Sequence, residues 1–192
     1  MSFLIRQCPA FAGPKDMTTG QQPGDGNDNV ILSNGKQVRI RLLRQGEDAP
    51  IRELWPHLSP QTRYLRFLSI LSSLPDSLVN RLISDNACRS MAIVAEHDTD
   101  GTPIVIGLAN LGAVDGESAE VGLVVRDDWQ RQHVGTELAR TMMLAAERRG
   151  IRRFIGHVLV ENVAMRRLLK NVGVIVSAKL DGNVHEVAFV RR

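Results

Sequence analysis

The segment Ala119-Glu120-Val121-Gly122-Leu123-Val124-Val125 is short, apolar and β-branched, and the Asp115-Gly116-Glu117-Ser118 turn bounds it upstream, so it predicts a strand. It runs through a polar loop ending in Gln130-Arg131-Gln132-His133 straight into a helix that opens at Val134. Val134, Leu138, Met142, Ala145 and Ala146 fall on one helical stripe, Glu137, Arg140, Glu147 and Arg148 fall elsewhere, and Gly150 stops the helix. Any fold for this chain must seat that strand in a sheet and lay the apolar stripe against it. The junction also gathers loop N–H groups and a helix N-terminus at one place, a setting suited to a phosphate.

The rest of the chain reads as one domain built around this unit. Residues 1–36 are rich in Gly, Pro, Asp, Asn and Gln and lack periodicity, which predicts a flexible leader with a local ordered piece at Val30-Ile31-Leu32. The folded domain is expected over 37–192, opening on the alternating strand Gln37–Leu42. Helical material follows from about Asp48 to Ser84, with starts at Ser59-Pro60 and Pro75-Asp76. Ser90–Glu96 and Pro103–Leu111, joined by Asp98-Thr99-Asp100-Gly101, form an antiparallel meander with the Glu120 strand. After the Val134 helix come a strand at 151–160, a helix opened by Asn162, and a hairpin of Val174–Lys179 and Val184–Val190 about Asp181-Gly182-Asn183. The class is α/β in the α+β sense: a mixed, mostly antiparallel sheet of six to seven strands flanked by helices.

Composition narrows the function classes. At 192 residues and 43% hydrophobic content, one real core is affordable. Cys8 and Cys88 lack CxxC or Cys/His ligand spacing, and His57, His97, His133, His157 and His185 show none among themselves, so neither a disulfide framework nor a metal is expected. The apolar run Phe3-Leu4-Ile5 is too short for a signal peptide, and no segment reaches membrane-spanning length, so a cytoplasmic enzyme is expected. A net charge of +3 with a pI near 9.2 suits an anionic ligand. The abundant arginines suggest nucleic acid only weakly, because no basic stripe with interleaved aromatics is present.

Gln130-Arg131-Gln132-His133-Val134-Gly135-Thr136 resembles the pyrophosphate loop of the GCN5-related N-acetyltransferases, written Gln or Arg, two residues, Gly, one residue, Gly or Ala. Gln130 and Gly135 match, and His133 stands where the first glycine is expected. The resemblance continues through the following strand to Asn162, which matches the asparagine that binds the pantetheine arm and reads equally as a helix N-cap. Leu169 occupies the place where many members carry a tyrosine that protonates the leaving thiolate. Leu58-Ser59-Pro60-Gln61-Thr62-Arg63-Tyr64-Leu65-Arg66-Phe67 resembles a segment of the branch containing bacterial Pat-type protein lysine acetyltransferases, as does Met165. The plain reading of that segment is a helix packed through Tyr64, Leu65 and Phe67 with Arg63 and Arg66 solvated.

The resemblance implies acetyl-CoA as acyl donor, held by Val124, Val125, Gln130, Arg131, Gln132, His133, Val134, Gly135, Thr136 and Asn162. Glu120 is the expected general base, since an amine with a pKa of roughly 10.4 must lose a proton before it attacks. Its plain reading is a solvent-facing strand residue; Glu96, Glu117 and Asp127 are weaker rivals. A backbone N–H near Val124 or Val125 would polarise the thioester carbonyl, and His133 is expected to meet phosphate or solvent rather than act as a ligand or catalyst. The expected acceptor is an amine, with a protein lysine such as one on an acyl-CoA synthetase or a small amine as candidates, in a monomer or homodimer without nucleic acid or membrane. A catalytically silent acyl-CoA-binding module is the alternative.

Overall fold

The computed structural model describes residues 27–44, 46–83 and 90–192. Residues 1–26 of the expected leader, together with Cys8 and Cys88, lie outside the described residues. One eight-stranded sheet runs through the described chain, in the order β1-β2-β3-β4-β5-β6-β8-β7. Its strands are β1 (Asn27–Ile31), β2 (Gln37–Leu42), β3 (Ser90–Thr99), β4 (Thr102–Ala113), β5 (Ser118–Val125), β6 (Arg153–Leu159), β7 (Gly173–Asp181) and β8 (Val184–Arg191). Every pairing is antiparallel except β5 with β6. The expected α+β architecture is therefore found, with one strand more than the six to seven expected.

The additional strand is β1. Asn27–Ile31 pair with Ile31↔Gln37 nearest the turn and Asn27↔Arg41 farthest from it, where the sequence predicts leader. Gly35, at φ 81°, closes the hairpin with its N–H donating to the Leu32 carbonyl. An edge strand needs backbone partners rather than two buried faces, so Ile31 stays 70% exposed and no alternation marks the segment.

Five α-helices cover the sheet: α1 (Ala49–Leu54), α2 (Pro60–Phe67), α3 (Asp76–Ile83), α4 (Val134–Glu147) and α5 (Val163–Val172). Both expected starts hold. The Ser59 hydroxyl accepts from the Thr62 N–H at 3.2 Å, and α3 opens directly after Pro75. On one face α4 buries Val134, Leu138, Ala139, Met142, Met143 and Ala146 against Ile93, Ile106 and Leu111. On the other, α1 and α3 bury Ile51, Leu54, Val79 and Leu82 against Val94, Val105 and Leu108. A bulge lets Val105 and Leu108, three apart, face the same cluster: Ala95 pairs with Gly107 and Glu96 with Val105, so Ile106 is the extra residue.

Candidate active site

The parallel pairing of β5 with β6 is short. Its register runs Ser118↔Arg153, Ala119↔Phe154 and Glu120↔Ile155, and then stops, although β5 continues to Val125 and β6 to Leu159. Beyond Glu120 the strands part, and a cleft of about 520 Å³ opens between Val121–Val125 on one wall and Gly156, His157 and Val158 on the other. The starts of α4 and α5, which follow these two strands, line it as well. Polar backbone groups on the cleft edges of parted strands have no ladder partner, so such a gap favours a ligand that brings hydrogen-bonding groups.

Of the residues expected to hold the cofactor, Val124, Val125, Gln130, Arg131, His133, Gly135, Thr136 and Asn162 line this cleft. Two do not. Gln132 donates to the Asp128 carbonyl at 2.9 Å and accepts from Asn34 Nδ2 at 2.7 Å, which ties the loop to the β1–β2 turn. The Val134 side chain is 1% exposed because the stripe of α4 needs it in the core. Its N–H nevertheless belongs, with those of Gly135 and Thr136, to the first turn, where helix geometry supplies no intrahelical acceptor. His133 precedes that turn at φ 68° without capping it, so these donors meet no cap side chain. An added Cβ on Gly135 would lie 3.0 Å from Leu168 Cδ1 and 3.4 Å from Leu123 Cδ2, in the cleft itself.

The loop is rigidly mounted. Trp129 is buried beneath Lys36 Nζ, 4.1 Å above its ring, and beside His97. Gln130 turns inward: its Nε2 reaches the Val125 carbonyl at 3.2 Å, Asp127 Oδ1 at 2.9 Å and Thr62 Oγ1 at 3.2 Å. Asp127 in turn accepts from the Ser59 N–H and the Thr62 hydroxyl. The carboxylate that competed as a base is thus the clamp between the loop and the start of α2.

Glu120, 55% exposed at its side chain, stands at the last position of β5 paired with β6, and His157 Nδ1 lies 3.4 Å from its Oε1. Glu186 Oε2 lies 3.5 Å from the other ring nitrogen. The hydrogen bond to His157 outweighs burial and holds the Glu120 carboxyl below the usual carboxylate range, with Arg66 and Arg81 adding smaller pulls. The same contact, aided by Glu186, raises His157. The other rivals do not line the cleft: Glu96 is buried against Arg41 Nε at 2.8 Å, and Glu117 sits in the turn before β5.

His157 as partner of Glu120 is not visible in spacing, because it arises from β6 lying beside β5. Arg66 is a correction. Its guanidinium is not solvated but lies against Gly122, donates to Asn110 Oδ1, and is pushed down to about 10 by burial. The signal was Gly122 inside a strand pattern, which marks close approach of another group. Arg63 likewise packs its guanidinium 4.4 Å over the Trp55 ring. Asn162 Oδ1 accepts from the Met165 N–H at 3.0 Å, a helix cap, while Asn162 also lines the cleft. Leu169 is buried at 5% exposure, so no hydroxyl stands there.

Comparison with known proteins supplies the class: an N-acetyltransferase. The family pattern described as Acetyltransferase (GNAT) domain matches residues 38–175, and the chain belongs to that family. It is 30% identical over 145 residues to a Pseudomonas aeruginosa protein named Acetyltransferase PA5475, covering 75% of this chain and 78% of the relative. The GNAT domain of S. lividans PAT shares the fold with a TM-score of 0.77 at 21% identity, over 88% of this chain and 99% of that one. YncA of Salmonella typhimurium, solved with its cofactor acetyl-CoA, superposes with a TM-score of 0.61 at 17% identity, over 79% and 91% of the two chains.

Proposed function

We propose that this chain binds acetyl-CoA in the cleft between β5 and β6 and transfers the acetyl group to an amine, with a protein lysine as the acceptor class. The observation that carries the proposal is the parting of β5 from β6 immediately after Glu120, opposite the uncapped start of α4. The residues fit the carrier: first-turn N–H groups of α4, Arg131 and Arg167 would receive the pyrophosphate, and Asn162 the pantetheine arm. The bound thioester supplies an activated acyl group and a thiolate leaving group.

Glu120 takes the proton of the incoming ammonium, a step worth about 10²–10⁴-fold. A backbone N–H of the parted β5 near Val124 or Val125 receives the carbonyl oxygen as charge develops on it. A thiol with a pKa of about 8.5 leaves readily near neutrality, so solvent can protonate it where Leu169 replaces a phenol. Buried Leu169 also favours a second reading, a silent acyl-CoA-binding module, and thiol release with candidate amines separates the two. Acetyl-CoA should raise the melting temperature far more than a ligand lacking the pyrophosphate. Gly135→Asp, placing a charge and a Cβ in the cleft, should reduce that shift; unchanged binding would refute the site.

A further inference from the structure

Resting on the acyl-CoA reading above, we infer that Arg66 is a seat for a carboxylate at the reacting end of the cleft. That carboxylate belongs either to the acyl group, as in a dicarboxylic acyl-CoA of the succinyl type, or to the amine acceptor. Arg66 sits in the last turn of α2 and lines the cleft beside Gly122. A Cβ built on Gly122 would coincide with the guanidinium Nη1, Nη2 and Cζ, so the missing side chain is what admits the group. Asn110, the register partner of Gly122 on β4, accepts from Nη2. Nε is buried with no partner among the described residues.

Burying an unsatisfied charged donor is costly, so a further acceptor at Arg66 is favoured. Arg66 is not saturated, and no carboxylate among the described residues lies within ion-pair distance of it. Glu120, two residues from Gly122 and therefore on the same face of β5, is the carboxylate that attracts it from farther away. Glu120 itself is taken up by His157, which also meets Glu186. The planar donor fork of arginine matches a carboxylate, and the unpartnered Nε of Arg66 lies at the cleft.

The test uses the full chain with coenzyme A, acetyl-CoA, butyryl-CoA and succinyl-CoA in binding titrations, and an amino acid against its carboxamide as acceptor in thiol release. If the acyl group carries the carboxylate, succinyl-CoA binds about 10–100-fold tighter than butyryl-CoA, the scale of a charge-assisted bidentate pair. If the acceptor carries it, the acyl-CoAs differ little and the amino acid outperforms its carboxamide by a similar factor. Arg66→Met should erase whichever preference exists while coenzyme A binding persists. Gly122→Ala, which displaces the guanidinium without altering it, should reproduce that loss should Arg66→Met fail to fold. Binding of coenzyme A with neither preference, or a preference that survives the substitutions, overturns the Arg66 inference alone; no binding of coenzyme A overturns the cleft assignment with it.

Discussion

Glu120→Gln preserves the shape at the last position of β5 paired with β6 but removes the proton acceptor. Because His157 holds the carboxyl below the usual carboxylate range, the parent is ionised throughout the neutral region and ready to accept a proton. Loss of a general base costs about 10²–10⁴ in rate, or roughly 2.7–5.5 kcal/mol of barrier. The variant must then wait for amine that is already neutral. With a pKa of about 10.4, a lysine amine is neutral in about one molecule per thousand at pH 7.4 and about one in ten at pH 9.4. The variant should therefore gain about tenfold per pH unit over this range, and its deficit should narrow as pH rises. The assay is thiol release at saturating acetyl-CoA and limiting amine, with acetyl-CoA affinity measured separately and expected to be nearly unchanged. Near-parental turnover with an unaltered pH profile would remove Glu120 from the mechanism.

His157→Gln should let the Glu120 carboxyl rise toward its ordinary range, so the acid limb of the rate profile moves to higher pH; an unmoved limb would show that the pair is not coupled. The sign for stability follows from the raised pKa of His157. Its contribution is full below the unfolded value of about 6.5 and is lost as pH rises through the folded value, so parent and variant should differ more in urea denaturation at acid than at alkaline pH. His133→Gly relieves a left-handed residue worth roughly 1–2 kcal/mol, offset by the about 0.5–1 kcal/mol that glycine loses in freedom. A Tm unchanged or a few degrees higher with cofactor affinity kept is expected, and a large loss of turnover at unchanged binding would make His133 catalytic. Arg41→Ala strands Glu96, 10% exposed, and also frees Glu47, which Arg41 holds at 2.7 Å. A loss of about 3–5 kcal/mol in chemical denaturation is expected, and a loss below about 1 kcal/mol would refute the burial argument.

Periodicity carried most of the framework. The stripe on α4, the caps at Ser59 and Asn162 and the closing hairpin were all legible because each is decided within a dozen neighbouring residues. β1 was not, since a polar edge strand gains its stability from backbone pairing that side-chain pattern does not record. The cofactor loop was legible as a segment, but its division of labour was not: Gln130 and Gln132 look like free loop amides until Val125, Thr62 and Asn34 are brought beside them. Glu120 could be nominated from its place before the loop. Its partner His157 and its neighbour Arg66 come from β6 and α2, and their meeting is set by strand order and helix docking rather than by any local signal.

The Asp127 clamp joins two elements that line the same cleft. The loop it anchors supplies Gln130, Arg131 and His133 to the cleft, and the helix it anchors supplies Thr62, Leu65 and Arg66. Displacing one of these elements therefore works against the other. Severing the clamp at Asp127 would release both elements from one another at once, so a single carboxylate sets the shape of two walls of the cleft.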